Sequence, residues 1–172
     1  MTVRPAGVGD DHALAALNRF VHDVHLAHRP DYFKTARADE AAAWFRDQLG
    51  KPTTAAWIAE EGAVPIGFVL AFFEERPENP FRRARRWCQI DQIAVDPARR
   101  RRGVGRALMA AALDEARARG IADVELFSWA FNTDAHAMFR GLGFEPRIIR
   151  FELKRSTSLR YPGRFGRSGS TQ

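Results

Sequence analysis

IDQIAVDPARRRRGVGRALM, residues 90–109, is the stretch that sets the fold. Its opening, Ile90 to Val95, is apolar and β-rich, and Pro97, which has no N–H to give a ladder, stops the strand. From Gly103 a helix opens and runs on as GVGRALMAAALDEARARG to Gly120. Between them stand four consecutive arginines, Arg99 to Arg102. A strand, a tight glycine turn and a helix leave the first helical N–H groups without internal partners, and the helix dipole adds partial positive charge there. A pyrophosphate fits such a site. Gly103 and Gly105 read as positions where a Cβ would keep phosphates off the backbone. The arginines add charge and forked donors. The turn is not the dinucleotide fingerprint, because the third glycine is missing, and it is not a P-loop, which needs Gly-Lys-Ser or Gly-Lys-Thr.

Working outward, Val3–Arg4 reads as a short strand ending at Pro5. Asp10 or Asp11 caps a helix with Leu14, Leu17, Val21 and Val24 or Leu26 at helical spacing, and Pro30 in HRPDYF breaks it. Asp39 caps a second helix carrying Trp44, Phe45 and Leu49, which Gly50 and Pro52 end. TTAAWIAEE and PIGFVLAFFEER read as a hairpin turning at Glu61-Gly62-Ala63, and RRWCQIDQIAV as a third long strand. After the arginine turn come a strand (IADVELFSW), a helix (NTDAHAMFRGLG, capped by Asn132 or Thr133) and a final strand pair or one bent strand (FEPRIIRFELK). The order is β-α-α-β-β-β-α-β-α-β-β, a mixed α/β sheet in one domain over residues 1–153. Residues 154–172, KRSTSLRYPGRFGRSGSTQ, lack periodicity and are expected to form a mobile basic tail.

A chain of 172 residues, 45% hydrophobic and 11% aromatic, has enough apolar surface for a packed core and is not a disordered composition. Its net charge of +6 favours anionic partners: nucleic acid, an acidic surface or a phosphorylated small molecule. Nine arginines lie between Arg82 and Arg106, so a basic face and the tail make a weak affinity for nucleic acid an expectation, although no DNA-reading helix or RNA-binding motif is present. Cys88 is the one cysteine, which fits a reducing compartment, and its apolar surroundings predict a buried structural thiol. The N-terminal stretch MTVRPAGVGDD has no apolar signal core. AVPIGFVLAFF is far shorter than the roughly 20 residues of a spanning helix. The sequence reads as cytoplasmic and soluble, with no membrane partner.

Arg100-x-x-Gly103-x-Gly105 resembles the pyrophosphate-binding loop of the GNAT superfamily of N-acetyltransferases. IDQIAVDPA resembles that family's fourth strand, NTDAHAMFRGLGFE its second motif, and VRPAGVGDD its first strand and helix entry. The resemblance covers roughly residues 1–153. It implies the GNAT-like acyl-CoA N-acyltransferase fold, with splayed central strands. It also implies acetyl-CoA as cosubstrate, an amine acceptor and direct attack without a covalent enzyme intermediate. The backbone of Ile93, Ala94 and Val95 would bind pantetheine, and Arg100, Arg101, Arg102, Gly103, Val104, Gly105 and Arg106 would wrap the pyrophosphate. Asn132 and Phe139 would contact the cofactor arm. Relatives include homodimers. Two alternatives on the same fold are a CoA-binding regulatory protein without strong catalysis and a basic nucleic-acid-associated protein.

Asp91, four residues before Val95, stands where several members of the family carry a carboxylate, and it is a candidate base acting through a water; Glu125 on the next strand is a second. The sequence departs from the family where many members place a tyrosine acid, because Phe139 stands there and cannot donate a proton. A thiolate of pKa ~8.5 can leave unaided, or Tyr32, His136, Ser128 or a water can substitute. On the acceptor side the resemblance points to the first two helices and their connection, so His25, His28, Asp31 and Tyr32 are candidate substrate contacts, with Trp129 lining the cleft. His22, His25 and His28 recur every third residue, but they spread over too wide an arc to hold a metal, and none is expected.

Overall fold

The computed structural model describes residues 1–153. A five-stranded sheet is ordered β1 (Thr2–Pro5), β2 (Thr54–Glu61), β3 (Val64–Arg76), β4 (Arg85–Val95), β5 (Val124–Leu126), antiparallel except for the β4–β5 pair. Helices α1 (Asp11–His28) and α2 (Ala38–Leu49) cover one face. On the other lies α3 (Val104–Ala118), followed after β5 by α4 (Thr133–Arg140).

Why β3 is apolar on both sides follows from this layering, since a strand sandwiched between helix layers has no wet face. Phe68 and Leu70 point into the core under α1 and α2, while Val69, Ala71 and Phe73 point under α3. On α3 the buried residues Leu108, Met109, Ala112 and Ala116 make one stripe at helical spacing. Each large side chain so buried contributes roughly 1.5–3 kcal/mol. On the α1–α2 side, Phe68 meets Phe45 edge-on at 5.6 Å. Asp11, also buried there, pairs with Arg46 and ties α1 to α2. Past His28, α1 stops as the Arg29 N–H bonds back to the His25 carbonyl and Pro30 follows.

The feature that makes the site is a break in the ladder. Leu70 pairs with Gln92 and Ala71 with Ile90, so Asp91 is the extra residue of a β-bulge. The parallel partner stops at the same level: Ile90 pairs with Leu126, and no pair follows. Beyond that point the chain after β5 leaves β4, which is the splay that the resemblance implies.

The structure corrects the two terminal strands. Residues 144–153 carry no strand, and Ile148, Ile149, Phe151 and Leu153 are exposed. Their alternation is strand-like, but a strand needs a backbone partner, and β5 is only three residues long. The segment is fastened instead by side chains, Arg147 to Glu125 and Glu152 to Arg29. The expected strand IADVELFSW is likewise reduced to Val124–Leu126. The expected tail, 154–172, lies outside the described residues.

Candidate functional site

The arginine turn is built from backbone. Asp96 accepts the Ala98 N–H at 2.9 Å and starts a short 3-10 turn, Pro97–Arg99. Arg101 (φ 61°) and Gly103 (φ 82°) then both take left-handed backbone, at a cost of about 1–2 kcal/mol for the arginine. The first intrahelical bond of α3 runs from the Ala107 N–H to the Gly103 carbonyl. The N–H groups of Val104, Gly105 and Arg106 precede it and are free to meet an anion.

The two glycines also have local roles. Gly103 has open space around it and is glycine because of its positive φ. At Gly105 a Cβ would come within 2.8 Å of the sulfur of the Met138 side chain, which reaches over from α4 and would have to shift. The arginines divide as well. Arg99 pairs with Glu61, Arg100 donates to the Val95 carbonyl (3.3 Å), and Arg106 donates to the Gly141 carbonyl (3.3 Å). Among the described residues Arg101 and Arg102 have no partner, and they stand exposed at the turn.

From Asp91 to Val95, β4 is paired to β3 on one edge only. Its other edge offers backbone N–H and C=O groups to the cleft. Ile93 and Val95 pack into the core with their side chains, and Ala94 is buried on the opposite face, so the main chain alone is available. Across the cleft, Asn132 occupies the N-cap position of α4 but makes no capping bond with its side chain. The unpaired edge, the free N–H groups and this amide together fit a long pantetheine–pyrophosphate arm.

Asp91 sits at the bulge. The residue as a whole is exposed, yet burial around its carboxyl pushes it above the usual carboxylate range, against a Gln92 hydrogen bond that pulls it down. Glu125 is engaged with Arg85 at 3.0 Å and lies 3.7 Å from Arg147. Phe139 is buried with its ring against Phe144 at 6.2 Å, and His136 lies half-buried on α4. Cys88 is fully buried, and burial raises its thiol to about 11, which suits a structural role.

The candidate acceptor residues come together although the chain separates them widely. Asn18 donates to Gln92, beside the bulge, and His22 and His25 continue the same α1 stripe. His25 stacks on Phe33 at 5.1 Å, and His28 stacks on Phe131 at 4.3 Å. Burial, then the charges of His22 and His28, hold the His25 imidazole below its ordinary value. Trp129 stacks on Phe131 and meets Tyr32 edge-on at 5.3 Å. Arg29 lies over both Trp129 (4.9 Å) and Tyr32 (5.6 Å), and it pairs with Asp31 and Glu152. Arg29, Phe33 and Phe131 were not evident as site residues in the sequence. The aromatic density of HRPDYF and FSWAF was the signal that could have marked them. Among the described residues no cluster of metal-binding side chains occurs, and no helix is long and apolar enough to cross a membrane.

The acetyltransferase (GNAT) family model matches residues 20–144. A mycothiol acetyltransferase of Amycolatopsis mediterranei is 32% identical over 135 residues, covering 78% of this chain and 42% of that one. The [ribosomal protein bS18]-alanine N-acetyltransferase of Escherichia coli is 45% identical over 58 residues, 34% of this chain and 39% of that one. This chain thus spans less than half the length of these relatives. Among solved structures, a tetramutant of the BH1408 protein from Bacillus halodurans superposes with a TM-score of 0.85 at 23% identity, covering 90% of this chain and all of that one. The aminoglycoside N-acetyltransferase AAC(6')-Iy, solved with CoA, gives 0.72 at 22% identity, over 90% and 95% of the two chains. At such identities the likeness is one of fold.

Proposed function

The chain belongs to the acetyltransferase (GNAT) family, and from that premise we propose that it transfers the acetyl group of acetyl-CoA to a primary amine by direct attack. One observation carries the reading: the unpaired edge of β4 leads into a helix N-terminus with free N–H groups and two arginines that have no partner among the described residues. The strand edge would align pantetheine, and the turn would hold the pyrophosphate, so the thioester is positioned before the amine arrives.

The amine must first lose a proton, because an alkylamine of pKa ~10 is mostly charged at neutral pH. Asp91 is the group to take it, through a water, and its raised carboxyl is a better base than an ordinary aspartate. The nitrogen lone pair then forms the C–N bond at the thioester carbonyl, and backbone N–H groups on the free β4 edge would stabilise the oxyanion. Collapse breaks the C–S bond, and the second proton that the nitrogen must shed then passes through water to the departed thiolate, leaving the amide and free CoA. The leaving thiolate needs no strong acid, which accommodates a buried Phe139 where many relatives have tyrosine. Glu125, held in its ion pairs, serves structure in this reading. The test is release of free CoA thiol across a panel of amines. Turnover with any primary amine supports the reading, and binding of acetyl-CoA without turnover on peptides, amino acids, aminoglycosides and polyamines would favour a regulatory CoA-binding protein.

A further inference from the structure

A recess of about 620 Å³ lies at the N-terminal end of β4, lined chiefly by Arg76, Arg82, Arg83, Arg85, Arg147 and Trp87. Its acidic lining is Asp123 and Glu125, so five guanidinium groups face two carboxylates. Both carboxylates are already engaged by Arg85, at 2.8 and 3.0 Å. Among the described residues Arg82 and Arg83 have no carboxylate partner, and Arg76 donates from Nη2 to the Arg83 carbonyl (3.3 Å) while its Nε is buried without a hydrogen bond. The loop bearing them is held in place, because the Asn79 Oδ1 accepts the N–H groups of Phe81 and Arg82, both at 2.9 Å. The result is a fixed cationic recess with an indole in its wall, over which Arg85 lies at 5.1 Å.

The recess opens on the acceptor side. Cys88 and Ile90 point into the core under α3, so by strand alternation Arg85, Trp87 and Gln89 point to the opposite face. That is the α1 face, where Gln92 meets Asn18. Trp87 stands four residues before Asp91, a span of roughly 13 Å along a strand. An extended peptide covers that distance in about four residues.

We propose, building on the acetyltransferase reading, that this recess recognises an acidic side chain of the acceptor, and that the preferred acceptor is a peptide amine with a carboxylate about four residues from the reacting nitrogen. Cationic polyamines and aminoglycosides would meet repulsion there. Arg82 and Arg83 would determine specificity, at a distance from the chemistry.

The experiment compares two peptides of equal length with free N-termini, carrying glutamate or lysine at the fourth position. Binding is followed by tryptophan fluorescence, and turnover by CoA thiol. The glutamate peptide should bind at least about tenfold more tightly, with the preference shrinking as salt rises. The exposed double variant Arg82→Glu, Arg83→Glu should reverse the preference, raise KM for the glutamate peptide and leave kcat and acetyl-CoA binding unchanged. Equal binding of the two peptides, or no change in the double variant, overturns the proposal. So does a single-stranded oligonucleotide that displaces the glutamate peptide at lower concentration than the free peptide itself, which would assign the recess to nucleic acid. Because peptide binding is read without turnover, failure of the acetyltransferase reading would show separately, as absent acetyl-CoA binding.

Discussion

The two sides of the cleft are made differently. On the side proposed for the cofactor, one continuous run from Asp91 to Arg106 supplies a strand edge, a turn and a helix start, all fixed by backbone and backed by the α3 core. On the side proposed for the acceptor, three distant segments meet: the end of α1 with residues 29–33, the chain after β5, and residues 144–153. They are joined by ring stacking and by the single guanidinium of Arg29, with few backbone bonds. A fold can keep the first arrangement while the second varies, because side-chain contacts change one residue at a time and a strand–turn–helix does not.

Asp91 lies where the sides meet, and its replacement should have the largest effect on rate. Asp91→Asn is expected to lower kcat/KM by roughly 10²- to 10⁴-fold and to remove the acidic limb of the pH–rate profile, which in the parent rises as pH climbs through the raised carboxyl value. The same change should add stability at neutral pH. Burial raises the folded pKa, so folding is opposed above it, where the carboxyl must ionise, and Asn removes that opposition. Activity assays and thermal unfolding at neutral pH should therefore move in opposite directions.

Next comes a break confined to the cofactor side. Gly105→Val would press side-chain atoms against the Met138 sulfur, which must shift, and would set a branched side chain among the first N–H groups of α3. The expected outcome is a lower melting temperature and loss of the rise on adding acetyl-CoA, seen by thermal unfolding. Its counterpart on the acceptor side is Trp129→Ala, which removes the stack on Phe131 and the seat of Arg29. Pair energies of about 0.5–1.5 kcal/mol each predict an acceptor KM raised up to about tenfold, with acetyl-CoA affinity unchanged. Steady-state kinetics with each substrate varied in turn separates the two.

Two smaller effects sharpen the contrast. Phe139→Tyr should give no gain in turnover and cost about 1–3 kcal/mol, because the new hydroxyl enters a buried site against Phe144. A rise in turnover would show that an acid was lacking. His25 is held neutral by burial and by its neighbouring histidines, so below pH 6.5 the unfolded chain binds more protons and stability falls as pH drops toward the lowered folded value. His25→Phe keeps the stack on Phe33 and should flatten that slope in unfolding curves taken across the window.

Legibility in the sequence follows the same division. The strand, arginine turn and helix of residues 90–109 could be read because every part is local, and so could the layered sheet, whose periods of apolar residues are local too. The bulge at Asp91 could not, because it depends on how β3 pairs with β4. Nor could the place of the Met138 side chain against Gly105, because it comes from another helix. Arg29 is an ordinary residue until Tyr32, Trp129 and Glu152 surround it. Residues 144–153 have the alternation of strands, but pattern alone does not supply a partner, and β5 is too short to be one.

The most direct test of the central claim is thermal unfolding with and without acetyl-CoA at moderate salt. Ligand at 100 times its Kd adds about 2.7 kcal/mol to the folded state, which for a chain of this size raises the midpoint by roughly 5–11 °C. A rise of that order is the predicted result. An unchanged midpoint at millimolar acetyl-CoA would contradict the account, because the free strand edge and the arginine turn would then hold something other than the cofactor.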